Sequence, residues 1–198
     1  MDAFSLLKAD HRKVEDLFSQ LESASGQAKM RVFEQIKMEL ELHTHIEEKF
    51  FYPALEKPKQ THELTLEAYE EHDVVKKLLQ QMGRAKSATE EWEAQAKVLQ
   101  ENVEHHVEEE ENELFPKAEA ALSEEDIETL GEQMEAEKER KQRSASSKGS
   151  SKKSANKSAS KSKSASTAPK RTRASKSKSS SKSSGSKRSK KSTKKSRR

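Results

Sequence analysis

One stretch occurs twice in this chain. The first copy runs from His43 through Glu47 to Pro53, and the second from His106 through Glu110 to Pro116. In each, a Glu follows the His by four residues, and a Pro follows by ten, directly after an aromatic residue. Positions four apart on an α-helix lie one above the other, so each copy presents an imidazole and a carboxylate on the same face. Two such pairs brought face to face make a nitrogen and oxygen cage suited to a transition metal. The chain has no Cys. That excludes thiolate metal sites, a disulfide framework and a Cys nucleophile, and leaves His and carboxylate as the donors.

The elements that must carry these groups can be read from apolar periodicity. Residues 2–23 read as a helix with the stripe Leu7, His11, Val14, Phe18, Leu21, broken by Ser25-Gly26. Residues 28–51 follow with Phe33, Ile36, Leu40, His43, Glu47 and Phe50, and Pro53 and Pro58 bracket the exit. A third helix, 61–86, has Thr61 as cap candidate and a stripe through Leu64, Ala68, His72, Val75 and Leu79. The fourth, 89–115, carries Thr89, Trp92, Ala96, Leu99, Val103, His106 and Glu110, with Pro116 perturbing its end. Ser123 to about Arg140 reads as a shorter fifth helix with acidic residues in its first turn and Ile127, Leu130 and Met134 inward.

Four long helices joined by short turns pack as an antiparallel up-down-up-down bundle, so the expected fold class is all-α. At 1.5 Å per residue, the distances of the four His from the connecting turns differ by one or two helical turns. His11, His43, His72 and His106 can therefore share one level of the core, with Glu47 and Glu110 reaching it from two parallel helices. A single His on an apolar face is usually a hydrogen-bonded core residue. Here every helix of the four carries one and two add a stacked Glu, and burying that set without a cation is costly. The candidate metal ligands are His11, His43, Glu47, His72, His106 and Glu110. His45, His62 and His105 fall off the stripes, as solvent-exposed or supporting groups. In the acidic run 108–111 only Glu110 has the inward phase, and the rest reads as a wet face. Trp92 and the Phe positions read as core.

Four nitrogens and two carboxylates able to bridge suit two first-row ions, iron first and manganese second. If both Glu are shared, each ion has two His, two oxygens and open positions for dioxygen, peroxide or nitric oxide. A single zinc would leave ligands over. Ferritin-like di-iron bundles carry Glu-x-x-His, whereas this chain has His-x-x-x-Glu. With Asp10-His11-Arg-Lys-Val14, the two His-x-x-x-Glu…Pro copies and Glu71-His72-Asp-Val-Val75-Lys, residues 1–135 resemble the haemerythrin HHE cation-binding family. The resemblance implies an antiparallel four-helix bundle with a non-haem di-iron centre, oxo- or hydroxo-bridged, and puts the same six residues in its ligand places. Oxygen-carrying haemerythrins use an additional His and an Asp in place of a Glu, a difference that speaks against reversible oxygen carriage here.

Charge divides the chain. Of its 39 Lys and Arg, 22 lie from Lys141 onward, which leaves 17 against all 35 acidic residues in the first 140, a net −18 against +22. Such asymmetry points to two tasks: a bundle over 1–140 and a tail over 141–198. The tail is Ser, Lys, Ala and Arg with no aromatic and no large aliphatic residue, a composition that reads as disordered. Its cations, among them Lys152, Lys153, Lys170, Arg171, Arg173, Lys187, Arg188, Lys190, Lys191, Lys194, Lys195, Arg197 and Arg198, resemble the basic tails of histone-linker-like bacterial proteins. They suit non-specific DNA or RNA binding through phosphates, steeply weakened by salt and without base stacking. A solubilising tail, a tail folded back on the acidic bundle, and a membrane-surface anchor are the alternatives. No apolar run approaches a membrane span and the N-terminus lacks a signal-peptide pattern, so the expected address is cytoplasmic, with nucleoid association following from the tail. Three functions compete on this reading: a di-iron module sensing or handling oxygen, nitric oxide or iron; an enzyme consuming peroxide or nitric oxide; and iron sequestration near DNA.

Overall fold

The computed structural model describes the backbone of residues 1–158 and the side chains through Ser144; the rest of the expected tail lies outside the described residues. Every element among the described residues is helical. In chain order they are α1 (Ala3–Ser23), α2 (Gly26–Ile46), a π-helical turn π1 (Glu47–Phe51), α3 (Tyr52–Leu55), α4 (Lys59–Met82), α5 (Glu90–Glu109), a second turn π2 (Glu110–Leu114), α6 (Phe115–Ala121) and α7 (Glu124–Ser158). Four rods result: α1, α2–π1–α3, α4 and α5–π2–α6. α1 packs chiefly on α2 and α4 chiefly on α5, with lesser contacts α1–α5 and α2–α4 closing the ring. The expected antiparallel bundle is the one observed. Among the described residues no helix is long and apolar enough to cross a membrane.

Local chemistry sets the starts. Asp2 caps α1 by accepting from the Ser5 amide at 2.9 Å, and Thr89 caps α5 by accepting from the Trp92 amide at 3.2 Å. Glu90, Glu91 and Glu93 then sit in the first turn of α5, where the helix dipole favours negative charge. Between α1 and α2 the chain turns in two residues, and Gly26 takes a φ of +54°, a left-handed value that side chains disfavour. The expected cap at Thr61 is not one. α4 starts two residues earlier, after Pro58, and the Thr61 hydroxyl, fully buried, donates to the Leu55 carbonyl at 2.6 Å. α4 also stops at Met82, short of residue 86.

The prolines of the repeat, Pro53 and Pro116, do not end their helices. Each is absorbed by a π turn that starts at the Glu of the repeat: the amide of Tyr52 bonds to the Glu47 carbonyl, and that of Phe115 to the Glu110 carbonyl, five residues back in both cases. A proline in a helix lacks an amide and crowds the carbonyl four residues before it; the wider turn accommodates both defects. The extra residue shifts the helical phase by about 100°. Phe50, expected inward, is therefore only partly buried, while Phe51, Tyr52 and Leu55 are fully buried.

The core has two apolar halves. Phe18, Phe33, Ile36, Leu79, Met82, Trp92 and Leu99 fill one, and Leu7, Ile46, Phe51, Tyr52, Leu55, Leu114 and Phe115 fill the other. α7 lies along α1 and α2, burying Ile127 and Met134 as expected. It is longer than expected, continuing past Arg140 into the Ser/Lys segment as far as Ser158, so no helix end marks the boundary at residue 140. The approach of α7 to the N-terminus is close. A Cβ on Gly131 would meet the Met1 carbonyl oxygen at 2.3 Å and the Ala3 nitrogen at 2.7 Å.

Candidate metal centre

Between the two apolar halves lies a polar layer. His11 comes from α1, His43 and Glu47 from the second rod, His72 from α4, and His106 and Glu110 from the fourth, and all six are buried. One nitrogen or oxygen from each of His11, His43, Glu47 and Glu110 falls within a 4.8 Å cluster, and so does one from each of Glu47, His72 and His106. Glu47 belongs to both groups. Its Oε2 lies 3.2 Å from His43 Nε2 and 3.4 Å from His72 Nε2. Glu110 Oε2 repeats the pattern, 3.4 Å from His11 Nε2 and 3.8 Å from His106 Nε2. Each carboxylate thus reaches one His of each pair.

The layer is chemically incomplete as protein alone. His11 Nε2, both nitrogens of His43, both oxygens of Glu47 and Glu110 Oε2 are buried without a hydrogen-bond partner. Unpaired buried polar atoms of this kind are costly. They include an atom from each of His11, His43, Glu47 and Glu110, the four that cluster within 4.8 Å, so the residues present suit a metal in this place.

A second ring of carboxylates stands behind the imidazoles, on their Nδ1 side. Glu111 lies 2.8 Å from His11, Glu48 2.9 Å from His72, Glu71 2.7 Å from His106, and Asp10 3.5 Å from His43. Such partners fix the ring orientation and the tautomer that leaves Nε2 free to ligate. Glu48 is held in turn by Lys76, and Asp10 by Lys138 of α7 through both oxygens at 2.5 and 2.7 Å. Glu111 is therefore no part of a wet face. Each carboxylate of this ring is a chain neighbour of a candidate ligand (Asp10-His11, Glu47-Glu48, Glu71-His72, Glu110-Glu111), and that adjacency is the signal by which sequence reading could have found the set.

Tyr52 was not expected in the site. The π turn brings it onto the face of Glu47, where its phenol donates to Glu110 Oε1 at 2.9 Å and lies 3.1 Å from His72 Nε2. Burial, with Glu110 and Glu47 close by, pushes the phenol well above its ordinary pKa, so it stays a donor. Phe51 and Phe115 close the layer on that side, their ring centroids 5.7 Å apart. On the other side a cavity of about 20 Å³ is walled by Val14, Leu40, Val75, Val103 and Val107 and opens on the four His.

Electrostatics separate the two buried carboxylates, Glu47 and Glu110. Burial and the Glu110 charge raise Glu47 well above the usual carboxyl range. Burial opposes ionisation at Glu110 too, but His106 and His11 outweigh it and hold Glu110 well below that range. Burial drops His43 to about 4. At His11 and His106 burial lowers the value, but the surrounding carboxylates together outweigh it and raise both: Glu110, Glu47 and Glu111 at His11, and Glu110, Glu71 and Glu47 at His106. The off-stripe His do other things: His45 pairs with Glu137 of α7 at 2.8 Å, His62 faces the Glu56 carbonyl, and His105 stands exposed between Glu71 and Glu109. Trp92 is core, as expected. Of the expected phosphate-binding cations, Lys152 and Lys153 fall on the α7 backbone and the other eleven lie outside the described residues.

Comparison with known proteins decides the family. The family model for the hemerythrin HHE cation binding domain matches residues 2–118. The chain belongs to the hemerythrin HHE cation-binding family. The crystal structure of another HHE cation-binding domain-containing protein, the Rv2633c homologue of Mycobacterium kansasii, superposes with a TM-score of 0.65 at 26% identity, over 75% of this chain and 91% of that one. A DNA nickase of Nostoc sp. is 30% identical over 139 residues, 70% of this chain. This HHE chain spans only 39% of the nickase's length. Its His and Glu groupings are of the kind that could hold a metal ion, in keeping with the cation binding for which the family is described.

Proposed function

We propose that the protein is a non-haem dinuclear iron protein that handles or senses a small ligand: dioxygen, nitric oxide or peroxide. His11 and His43 would hold one ion, His72 and His106 the other, with Glu47 and Glu110 shared between them. The observation that carries this reading is the joint use of Glu47 by two donor groups, in the first of which His11, His43, Glu47 and Glu110 each keep a buried atom without a partner. Donors of this type favour iron, with manganese as the alternative. Bound iron would supply open coordination positions and redox chemistry. The protein's own part is to hold four imidazoles in one tautomer, to keep the Tyr52 proton at the edge of the site, and to exclude bulk water. The cavity beside the His has room for about one water-sized molecule. It suits a diatomic ligand or peroxide and does not admit a nucleic-acid backbone, so the nicking that the Nostoc protein's name describes is not carried onto this site.

The basic segment from residue 141 gives the same protein a way to sit on nucleic acid without reading sequence. That one relative is named for an action on DNA supports this second part. The bundle would then act in the cytoplasm close to DNA. Elemental analysis and a visible spectrum of the purified protein test the first part. About two irons per chain, one for each donor group, is the expected result. Absence of tightly bound iron or manganese removes the reading. Steady-state assays with peroxide and nitric oxide then separate an enzyme from a sensor.

A further inference from the structure

The four imidazoles are not backed alike. Three have a carboxylate within 2.9 Å of Nδ1. The fourth, His43, has only Asp10, at 3.5 Å, and its Nδ1 makes no hydrogen bond. Asp10 is mostly buried and sits under the ammonium of Lys138, which donates to both of its oxygens. Lys138 lies on α7, outside the residues matched by the family model. The residue before it, Glu137, is buried against the second rod, bonded to His45 at 2.8 Å and to Lys49 at 3.0 Å, with Arg140 covering it at 2.7 Å. α7 is therefore pinned at this height by two neighbouring side chains. One grips α2–π1; the other reaches the group behind a candidate ligand.

We propose that Lys138 is a positioning residue for the His11–His43 half of the metal centre, acting through Asp10 on His43, so that α7 is part of that centre. The inference rests on the dinuclear reading above. A carboxylate this far from water is costly unless a cation pairs with it and holds it in place. Lys138 supplies it and holds Asp10 facing the His43 ring. Without the ammonium, Asp10 is free to swing outward toward water, and His43 loses the acceptor that would orient it. The other half of the centre has its own ammonium, Lys76 on Glu48, and does not depend on α7. The two ions are thus expected to be held with unequal dependence on the C-terminal helix. By linkage, filling the His11–His43 half also tightens α7 on the bundle.

The test uses the full chain loaded with ⁵⁷Fe, reading iron stoichiometry against a competing chelator and the Mössbauer spectrum. In Lys138→Met one iron should bind about 10- to 100-fold more weakly, with its quadrupole doublet altered, while the other is held as in the wild type. Lys138→Arg should restore both. In an Asp10→Asn background, Lys138→Met should add nothing further. Glu137→Gln, which loosens α7 but leaves Lys138 on Asp10, should weaken that iron far less than Lys138→Met does. The inference is overturned if Lys138→Met keeps both irons or loses both alike. Additive losses with Asp10→Asn, or a Glu137→Gln variant that behaves like Lys138→Met, also overturn it. A wild-type chain that takes up no iron is a distinct failure, that of the dinuclear reading itself.

Discussion

At the scale of single residues, Glu47 is the side chain on which the site turns, because both donor groups use it. If the centre is dinuclear as proposed, Glu47→Ala should cost the protein both ions, whereas His43→Ala should cost first the ion on the His11 side; metal content by mass spectrometry distinguishes the two. Tyr52 offers a test that needs no metal. Tyr52→Phe leaves Glu110 Oε1 buried without its donor, a defect worth about 1–3 kcal/mol, measurable by urea unfolding of the metal-free chain. Protonation gives a further expectation. Ligation needs ionised carboxylate and neutral imidazole. Glu47, His11 and His106 all have raised values, so the metal-free site holds protons that the metal must displace. The stabilisation those two His give the metal-free fold is present below pH 6.5 and fades as pH rises through their raised values. Metal affinity runs the other way and should rise with pH across the same interval. His43, dropped to about 4, is already neutral there and adds nothing to the slope. Calorimetry in buffers of different ionisation enthalpy should record proton release on metal uptake.

At the scale of elements, the π turns and α7 explain what the periodicity of the sequence did not. A stripe read at constant helical pitch places Phe50 inward; one extra residue in the turn hands that place to Phe51 and brings Tyr52 to the metal layer. The cause was visible in the repeated Glu-to-Pro spacing, but whether a helix answers a proline by ending or by widening depends on what its neighbours bury. Here the next turn carries Tyr52 and Leu55, both fully buried, and that burial favours continuing. α7 depends on a close backbone approach in the same way. Gly131→Ala would gain helix propensity but force a Cβ into the Met1 and Ala3 backbone. It should lower stability by about 1–3 kcal/mol in thermal unfolding, as overpacking does.

At the scale of the whole molecule, an acidic bundle and a basic segment are joined by one helix. If the basic segment binds nucleic acid, the full chain should bind duplex DNA of any sequence, with affinity falling steeply between 50 and 200 mM salt as counterion release requires. A chain ending at Ser158, which keeps α7 and its grip on the bundle, should lose most of that affinity and none of its metal. Electrophoretic mobility shifts at several salt concentrations check both. DNA binding that survives the truncation would move the nucleic-acid surface to the bundle.

The sequence by itself determined the all-α bundle and the six converging His and Glu. Both follow from repeat spacing along a helix, and helical geometry is local: four residues make one turn whatever surrounds them. The four-fold recurrence of a His on an apolar stripe did the rest, since only a shared core level brings such residues together. What the tertiary structure decided is everything set by contacts between rods. Glu111 read as part of a wet face, and Asp10, Glu48 and Glu71 had no assigned role, until helix packing set each behind an imidazole on another rod. Lys138 is 128 residues from Asp10 in the chain, and no periodicity links positions so far apart. Their meeting is a matter of how α7 lies on α1, which the close backbone approach at Gly131 sets and which a pattern along one helix cannot encode.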